Sequence, residues 1–299
     1  MPAVFVVIWS TGFIVAKFGL PYTPPLRFLA IRYFLSLICF LVWIALARVA
    51  WPRSRSQWFH LGVTGILIHA GYLGGVWCAI KAGMGSGLSA LIVGLQPVLT
   101  AVWVSQMGGV RLQGSAVSRR QWLGLLLGLA GLIMVVSRKF GVGMEASPLT
   151  LGLAVFALLS ITTGTLYQKR FVGSADVRCA NAIQLAAALL VTFPLSLFEN
   201  ESTQWTPGYL GALAWSVLGL TLGGSSLLYL LIQRGAATAV TSLLYLVPPT
   251  TALMAWLAFD EPITAMTLMG TAFTALGVSM VVRQPVVKKV RSEADNTAI

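Results

Sequence analysis

Long apolar runs alternate with short polar segments along the chain, and this pattern predicts a bundle of membrane-spanning helices. Most of the runs are close to the roughly 20 residues that a helix needs to cross a bilayer. The first run is short and contains Lys17. We interpret it as a helix and not as a signal peptide, because no basic residue precedes it and no clear cleavage site follows. The ten predicted spans are residues 4–20, 28–47, 57–80, 86–107, 120–137, 149–168, 178–198, 207–232, 238–259 and 265–282.

Prolines interrupt two of these spans. The fourth span contains Leu95-Gln96-Pro97-Val98 and the ninth contains Val247-Pro248-Pro249. A proline inside a helix removes a backbone hydrogen bond, and in hydrocarbon the freed carbonyl needs another partner. Paired interruptions at Pro97, Pro248 and Pro249 therefore indicate helix breaks of the kind that form the binding site of a secondary transporter.

The two halves of the chain are related by an internal repeat. An offset of 152 residues takes Pro97 to Pro249 and Gly12 to Gly164, and after the fourth span an offset of 146 takes Gly131 to Gly277. Five spans per repeat is an odd number, so the second copy starts on the opposite membrane face and the repeats are inverted. We predict an all-α polytopic membrane protein with ten transmembrane helices in two inverted five-helix repeats. The predicted repeats are residues 1–140 and 141–284, followed by a basic cytoplasmic tail, residues 285–299.

Composition and charge favour the same interpretation. Charged residues make up 9% and hydrophobic residues 57% of the chain, against roughly 25% and 45–50% in soluble domains. With ten spans, 14 of the 20 Lys and Arg residues fall on the side of the N-terminus and 6 on the other. This asymmetry predicts a multi-pass protein of the bacterial inner (plasma) membrane with both termini in the cytoplasm. We read the net charge of +12 as a topological signal, and we expect no nucleic-acid partner.

Small residues are spaced along the fifth and tenth spans, at Gly124, Gly128 and Gly131 and at Gly270 and Gly277. Small residues allow helices to approach closely in lipid. We favour packing within one chain, and a homodimer through these helices is the alternative. The three cysteines are isolated from one another, so they predict packing roles and neither a disulfide nor a metal site.

The chain resembles the drug/metabolite transporter superfamily, in its EamA branch. The second repeat has Pro249, Asp260-Glu261, and Gly270 with Gly277; the first has Pro97, Trp122, and Gly124 with Gly131. It departs from the family pattern at Gly109-Val110, where an acidic residue is usual. The resemblance implies a ten-helix transporter that exports small metabolites, and the aromatic content is similar to that of bacterial exporters of aromatic amino acids.

Polar and aromatic side chains at membrane depth are the candidates for substrate contact. For a single Trp or Tyr, packing or a place in an interfacial belt is the alternative, and for Gln96 the alternative is a structural role beside Pro97. We expect Tyr72, Gln96, Trp103, Tyr167, Tyr229 and Tyr245 to border one central cavity. Gln168, Asn181, Gln184 and Ser225 lie at similar depth. The predicted substrate-binding residues are Lys17, His69, Tyr72, Trp77, Gln96, Trp103, Thr163, Tyr167, Ser226, Tyr229 and Tyr245.

Three basic residues near helix ends, Lys17, Arg32 and Lys169, are expected to extend to the lipid headgroups. The alternative is a contact with a substrate carboxylate, for which Lys17 is the preferred candidate. No Asp or Glu falls at mid-membrane depth, and His69 is the only titratable side chain expected in the cavity that has a pKa near physiological pH. We therefore expect transport without obligatory ion coupling.

Catalysis is not indicated, because the sequence has no paired carboxylates, no HExxH, no GxSxG and no phosphate-binding loop. We expect no cofactor and no metal. The predicted function is export of small amphipathic metabolites, most of all aromatic or hydrophobic amino acids, by alternating access. The alternatives are export of another metabolite or a drug-like cation, or, in a different class, a membrane scaffold without transport or an intramembrane enzyme.

Overall fold

The computed structural model describes residues 2–106, 119–139, 146–173, 175–233, 246–261 and 263–282. Within these ranges the chain folds as helices and connecting turns, without β-strand. Five helices are long and apolar enough to cross a membrane, and five more are shorter apolar helices. The described residues thus form the ten helices that the hydropathy pattern predicts.

We number these helices α1 to α10. Three of them are divided into segments by a turn or by π-helical hydrogen bonding. The bounds are α1 Pro2–Gly19; α2 Pro25–Leu46; α3 Arg55–Gly65, Ile66–Leu73 and Gly74–Lys81; α4 Ser86–Val93 and Gln96–Gln106; α5 Arg119–Lys139; α6 Pro148–Phe171; α7 Val177–Ser196; α8 Pro207–Trp215, Ser216–Ser225 and Ser226–Gln233; α9 Val247–Phe259; and α10 Ala265–Val282.

Helix α4 is broken where the sequence predicts. A turn at Gly94 and Leu95 separates its two segments, and Pro97 lies in the first turn of the second segment. Proline is tolerated there because the first N–H groups of a helix have no partner inside the helix. The side chain of Gln96 donates to Thr165 Oγ1 of α6 at 3.1 Å, which ties the break to the neighbouring helix. Pro248 likewise lies in the first turn of α9, and the residues just before Leu246 are outside the described ranges.

The middle segments of α3 and α8 are π-helical, which the sequence did not predict. Ile66–Leu73 and Ser216–Ser225 overlap almost completely under the offset of 152 residues. In α8, Thr221 Oγ1 donates to the carbonyl of Ser216 at 2.9 Å. π-helical turns inside α-helices are frequent at functional sites, and this pair occurs at the same place in both repeats.

Helix contacts follow an inverted, pseudo-twofold relation between the repeats. Gly12 of α1 lies against Leu220 of α8, and their counterparts Gly164 of α6 and Ile68 of α3 also meet. Helix α2 packs on its own counterpart α7, and α5 packs on α10. The prediction of two inverted five-helix repeats is therefore confirmed.

The glycines of α5 and α10 contact each other within the chain. A Cβ atom on Gly131 would lie 2.5 Å from the carbonyl oxygen of Gly270, and one on Gly277 would lie 2.5 Å from the nitrogen of Gly128 and close to the carbonyl oxygen of Gly124. The backbones approach to a distance that side chains would prevent. This is the packing role that the spacing predicts, and a homodimer through these helices stays a prediction.

The two membrane faces differ in their polar contacts. On one, here called the Glu261 face, the carboxylate of Glu199 accepts from the N–H groups of Leu26 and Arg27 at 2.9 and 2.8 Å, which satisfies the start of α2 after Pro24 and Pro25. Lys81 pairs with Glu201 at 2.6 Å on the same face.

The opposite face is here called the His60 face. There the Nδ1 atom of His60 is 2.7 Å from Tyr167 Oη, and its ring stacks on Phe171 with the centroids 5.2 Å apart, which joins α3 to α6. Asp176 caps the start of α7 and accepts a bond of 2.8 Å from Arg178 Nη2, and this hydrogen bond lowers the pKa of the Asp176 carboxyl.

Candidate functional site

A cavity lies in the bundle, with walls from α1, α2, α3, α6, α7 and α8. Many of its lining residues come in pairs related by the offset of 152 residues. The cavity therefore surrounds the pseudo-twofold axis, and both repeats contribute equivalent positions to it. The paired positions are Phe13 and Thr165, Arg32 and Gln184, Ile68 and Leu220, Leu73 and Ser225, Val76 and Leu228, and Trp77 and Tyr229.

Aromatic side chains form much of the wall. Trp77 is held by Phe28, whose ring centroid is 4.3 Å away, and Tyr229 donates to the carbonyl of Ala175 at 3.2 Å. Tyr72 and Trp9 face the same space. These rings are fixed by packing on one side, so they present rigid apolar area to the cavity on the other.

The π-helical segments bring polar groups to the same wall. His69 lies in the π-helical part of α3, where its carbonyl accepts a 2.7 Å hydrogen bond from Tyr33 Oη and its ring is edge-on to Tyr33. Ser225 and Leu220 come from the matching segment of α8. The described wall therefore combines aromatic area with hydrogen-bonding groups at mid-depth.

Arg32 lies in this cavity, and the expectation that it extends to the lipid headgroups is wrong. The residue is 5% exposed, and its Nε donates to Thr221 Oγ1 at 3.0 Å. Helix α2 begins at Pro25, so Arg32 lies about two turns inside it, and its side chain points across the bundle to α8. Hydropathy indicates depth along a helix but not the direction of the side chain, which is why the sequence suggested the opposite.

Lys17, the preferred candidate for a substrate carboxylate, is not among the residues lining the cavity. Its Nζ is 2.7 Å from Glu261 Oε1 and 4.9 Å from the centroid of the Phe259 ring. Glu261 follows Asp260, which ends α9 in the left-handed conformation with φ 53°. The charge of Lys17 is thus already compensated at the Glu261 face.

The other predicted residues divide into two groups. His69, Tyr72, Trp77 and Tyr229 line the cavity together. Gln96, Trp103, Thr163, Tyr167 and Ser226 are not in its described wall: Gln96 is bonded to Thr165, Tyr167 to His60, and Trp103 is 38% exposed. Tyr245 lies outside the described residues.

Several wall residues were not among the predicted contacts. Trp9, Phe13 and Thr165 were missed, and Gln168, Asn181 and Gln184 were noted only for their depth. The repeat offset carries a usable signal for some of them, because it pairs Arg32 with Gln184 and Phe13 with Thr165. No signal in the sequence distinguishes Trp9 from an aromatic residue that faces lipid.

The model of the EamA-like transporter family matches residues 3–137 and again residues 149–283. The chain belongs to the EamA-like transporter family. The two matched stretches cover α1–α5 and α6–α10, so this family member is a polytopic membrane transporter that repeats the same unit. Both the family and the names of the relatives point to transport and not to catalysis.

Three relatives of this EamA transporter align with it over 79–90% of their own length. An uncharacterized transporter of Bacillus subtilis, YvbV, is 26% identical over 93% of this chain and 89% of its own. A protein of Escherichia coli K12 named "probable amino-acid metabolite efflux pump" is 25% identical over 91% and 90%, and the uncharacterized inner membrane transporter YedA of the same strain is 26% identical over 89% and 79%. One protein of known crystal structure has the same fold, with a TM-score of 0.68, 19% identity and coverage of 94% and 95%.

Proposed function

We propose that this transporter exports small amphipathic metabolites, with aromatic and hydrophobic amino acids foremost, through the cavity between its repeats. The observation that carries the proposal is the position of the cavity on the pseudo-twofold axis, with Trp77 and Tyr229 as equivalent aromatic positions. Inverted repeats alternate between two faces around a site on such an axis. The E. coli relative named as an amino-acid metabolite efflux pump supports export.

A drug-like cation is the weaker candidate. The described wall contains the guanidinium of Arg32 and no carboxylate. A cationic substrate would therefore meet a like charge in a space of low dielectric, which is unfavourable. A membrane scaffold without transport would not need a cavity between its repeats.

Reconstituted protein tests this proposal. Proteoliposomes loaded with phenylalanine or leucine should release it at least about tenfold faster than protein-free vesicles, whereas glutamate and lysine should leave at the background rate. Release of the charged amino acids at the same rate as phenylalanine, or no release of any amino acid, would contradict the proposal.

The same vesicles test the absence of ion coupling, which follows from the lack of a described cavity carboxylate. With equal substrate on both sides, an imposed proton or sodium gradient should produce no net accumulation. Accumulation driven by protons and abolished in His69→Ala would instead identify His69 as the coupling residue.

The proposed location is the bacterial inner membrane with both termini in the cytoplasm, as for a relative named an inner membrane transporter. The His60 face is then cytoplasmic and the Glu261 face external. A C-terminal reporter that is active only outside the cytoplasm should be silent, and a fusion inserted after Thr203 should be active. The reverse pattern would overturn this orientation.

A further inference from the structure

The guanidinium of Arg32 is a buried charge whose partners are incomplete. Arginine carries five N–H donors and stays charged in proteins. Among the described residues, the Nε bond to Thr221 at 3.0 Å is its one hydrogen bond, and no described carboxylate forms an ion pair with it. Both Nη groups therefore remain for another acceptor. A buried charge without a partner is unfavourable, and intramembrane ionisable residues are typically functional.

The contact with Thr221 fixes the orientation of the guanidinium. Thr221 Oγ1 uses its own hydrogen on the carbonyl of Ser216 at 2.9 Å, so it faces Arg32 as an acceptor. This bond is formed in the π-helical part of α8 and holds the Nε side of the group. The planar guanidinium is thus positioned at the cavity wall before any ligand arrives, which is the arrangement that suits bidentate binding of a carboxylate.

A second donor lies at the equivalent position of the other repeat. Gln184 is the counterpart of Arg32, is 4% exposed and also lines the cavity. Its side chain interacts with the ring of His69, and its buried Nε2 group has no hydrogen-bond partner among the described residues. The two equivalent positions therefore hold one cation and one unused amide donor, and both suit an anion.

We infer that Arg32 is the carboxylate-binding residue of this transporter and that its substrates are aromatic or hydrophobic monocarboxylates, with the amino group dispensable. This rests on the proposed function and makes its substrate class narrower. One positive charge in the wall matches one carboxylate, and the aromatic wall of Trp9, Tyr72 and Trp77 receives the apolar body. The described wall has no acidic group for an ammonium. Amino acids bind because the ammonium can lie over an aromatic face, but 2-oxo acids and arylalkanoates should bind at least as well.

A matched set of small molecules separates the two charges on one ring. The probes are 3-phenylpropanoate with the carboxylate alone, phenethylamine with the ammonium alone, and phenylalanine with both. The full-length protein in detergent is titrated with each, and its Tm is followed. 3-Phenylpropanoate should raise the Tm of the wild type with an affinity equal to or tighter than that of phenylalanine, and phenethylamine should not.

Three variants test the role of Arg32. Arg32→Gln should weaken binding of 3-phenylpropanoate at least about tenfold, and Arg32→Lys should retain part of it, because a point charge replaces a bidentate fork. Arg55→Gln makes the same change at an exposed position at the start of α3 and should bind as the wild type does. If Arg32→Gln does not fold, Thr221→Val provides a second variant. It keeps the charge but removes the hydrogen bond that orients it, and should weaken binding of the carboxylate while phenethylamine still fails to bind.

Two results would overturn the inference: binding of 3-phenylpropanoate by Arg32→Gln within twofold of the wild type, or a larger Tm shift with phenethylamine than with 3-phenylpropanoate. Release assays keep this separate from the proposed function. If wild type and Arg32→Gln release phenylalanine equally, the role of Arg32 fails and export stands. If the wild type releases no amino acid but 3-phenylpropanoate still binds in an Arg32-dependent way, the proposed function fails and the carboxylate site stands.

Discussion

Glu261→Gln is expected to open the Glu261 face and to slow substrate exchange at least about tenfold. The carboxylate of Glu261 is 2.7 Å from Lys17 Nζ and accepts from the N–H of Ser86 at 3.1 Å. It therefore joins the end of α1, the start of α4 and the end of α9 on one side of the cavity. The Glu261 side chain is 10% exposed and that of Lys17 33%.

Glu261→Gln replaces the carboxylate by a neutral amide, which leaves the charge of Lys17 uncompensated and weakens the hydrogen bonds from Lys17 and from the Ser86 N–H. A hydrogen bond to a charged group contributes about 1.5–3 kcal/mol, against about 0.5–1.5 kcal/mol for a neutral one, so two weakened bonds cost about 2–3 kcal/mol. A change of about 1.4 kcal/mol shifts an equilibrium about tenfold. The free energy that favours the closed arrangement of the Glu261 face over the open one should fall by about 2–3 kcal/mol. Alternating access needs both arrangements to be reachable, so the exchange rate should fall.

The pair has no counterpart on the other face. The repeat offset relates Lys17 to Lys169 but relates Glu261 to Gly109. Glu261→Gln should therefore change access to the cavity from the Glu261 face and not from the His60 face. In a variant in which Cys39, Cys78 and Cys179 are replaced and Ser225 is changed to cysteine, an impermeant maleimide should label faster from the Glu261 face and not faster from the His60 face.

A second ion pair on the Glu261 face provides the control. Lys81 and Glu201 are 2.6 Å apart but are 31% and 60% exposed. Exposed pairs contribute about 0–1 kcal/mol, so Glu201→Gln should change labelling and exchange less than about threefold. Equal effects of Glu201→Gln and Glu261→Gln would contradict a specific role of the Lys17–Glu261 pair in closing this face.

Gly277→Ala is expected to destabilise the protein by about 1–3 kcal/mol, the usual range for an added methyl group in a packed contact. Its Cβ would lie 2.5 Å from the nitrogen and 3.0 Å from the Cα of Gly128. These are backbone atoms of α5, so no side chain can rotate to make room and the helix itself must shift. The measurement is the Tm of the purified protein, together with its yield in membranes.

Gly211→Ala in α8 is the matched control. Nothing lies within 4 Å of the position that its Cβ would occupy, and alanine is favoured over glycine in a helix by about 1 kcal/mol. The same substitution should therefore leave the Tm unchanged or raise it slightly. Should Gly277→Ala be as stable as Gly211→Ala, the close approach of α5 and α10 would be wrong.

Two symmetry-related pairs of glycines form the antiparallel contact between α5 and α10. Gly124 meets Gly277 and Gly131 meets Gly270, and the repeat relation converts the first contact into the second. The spacing of these glycines in the sequence predicted that they pack. It did not say that α5 and α10 would pack on each other, because a glycine face fits any partner that approaches closely.

The number of helices, the break in α4 and the inverted repeat followed from the sequence alone. Each rests on a constraint that the bilayer imposes at every position: a span must be apolar and about 20 residues long, and a backbone group freed by Pro97 must find a partner. An odd number of spans per repeat then leaves inversion as the consequence. These constraints act along the chain, so they can be read from it.

The direction of each side chain was decided by the tertiary structure. In a soluble helix the polar face marks the surface, but here lipid and the protein interior are both apolar, so the pattern around a helix carries little information. The sequence therefore placed Arg32 with Lys17 as residues near helix ends. Because α2 packs against α8, the side chain of Arg32 points into the cavity. The end of α9 lies beside α1, so Glu261 contacts Lys17. Whether a basic residue is paired or left for a substrate depends on contacts between helices that are far apart in the sequence.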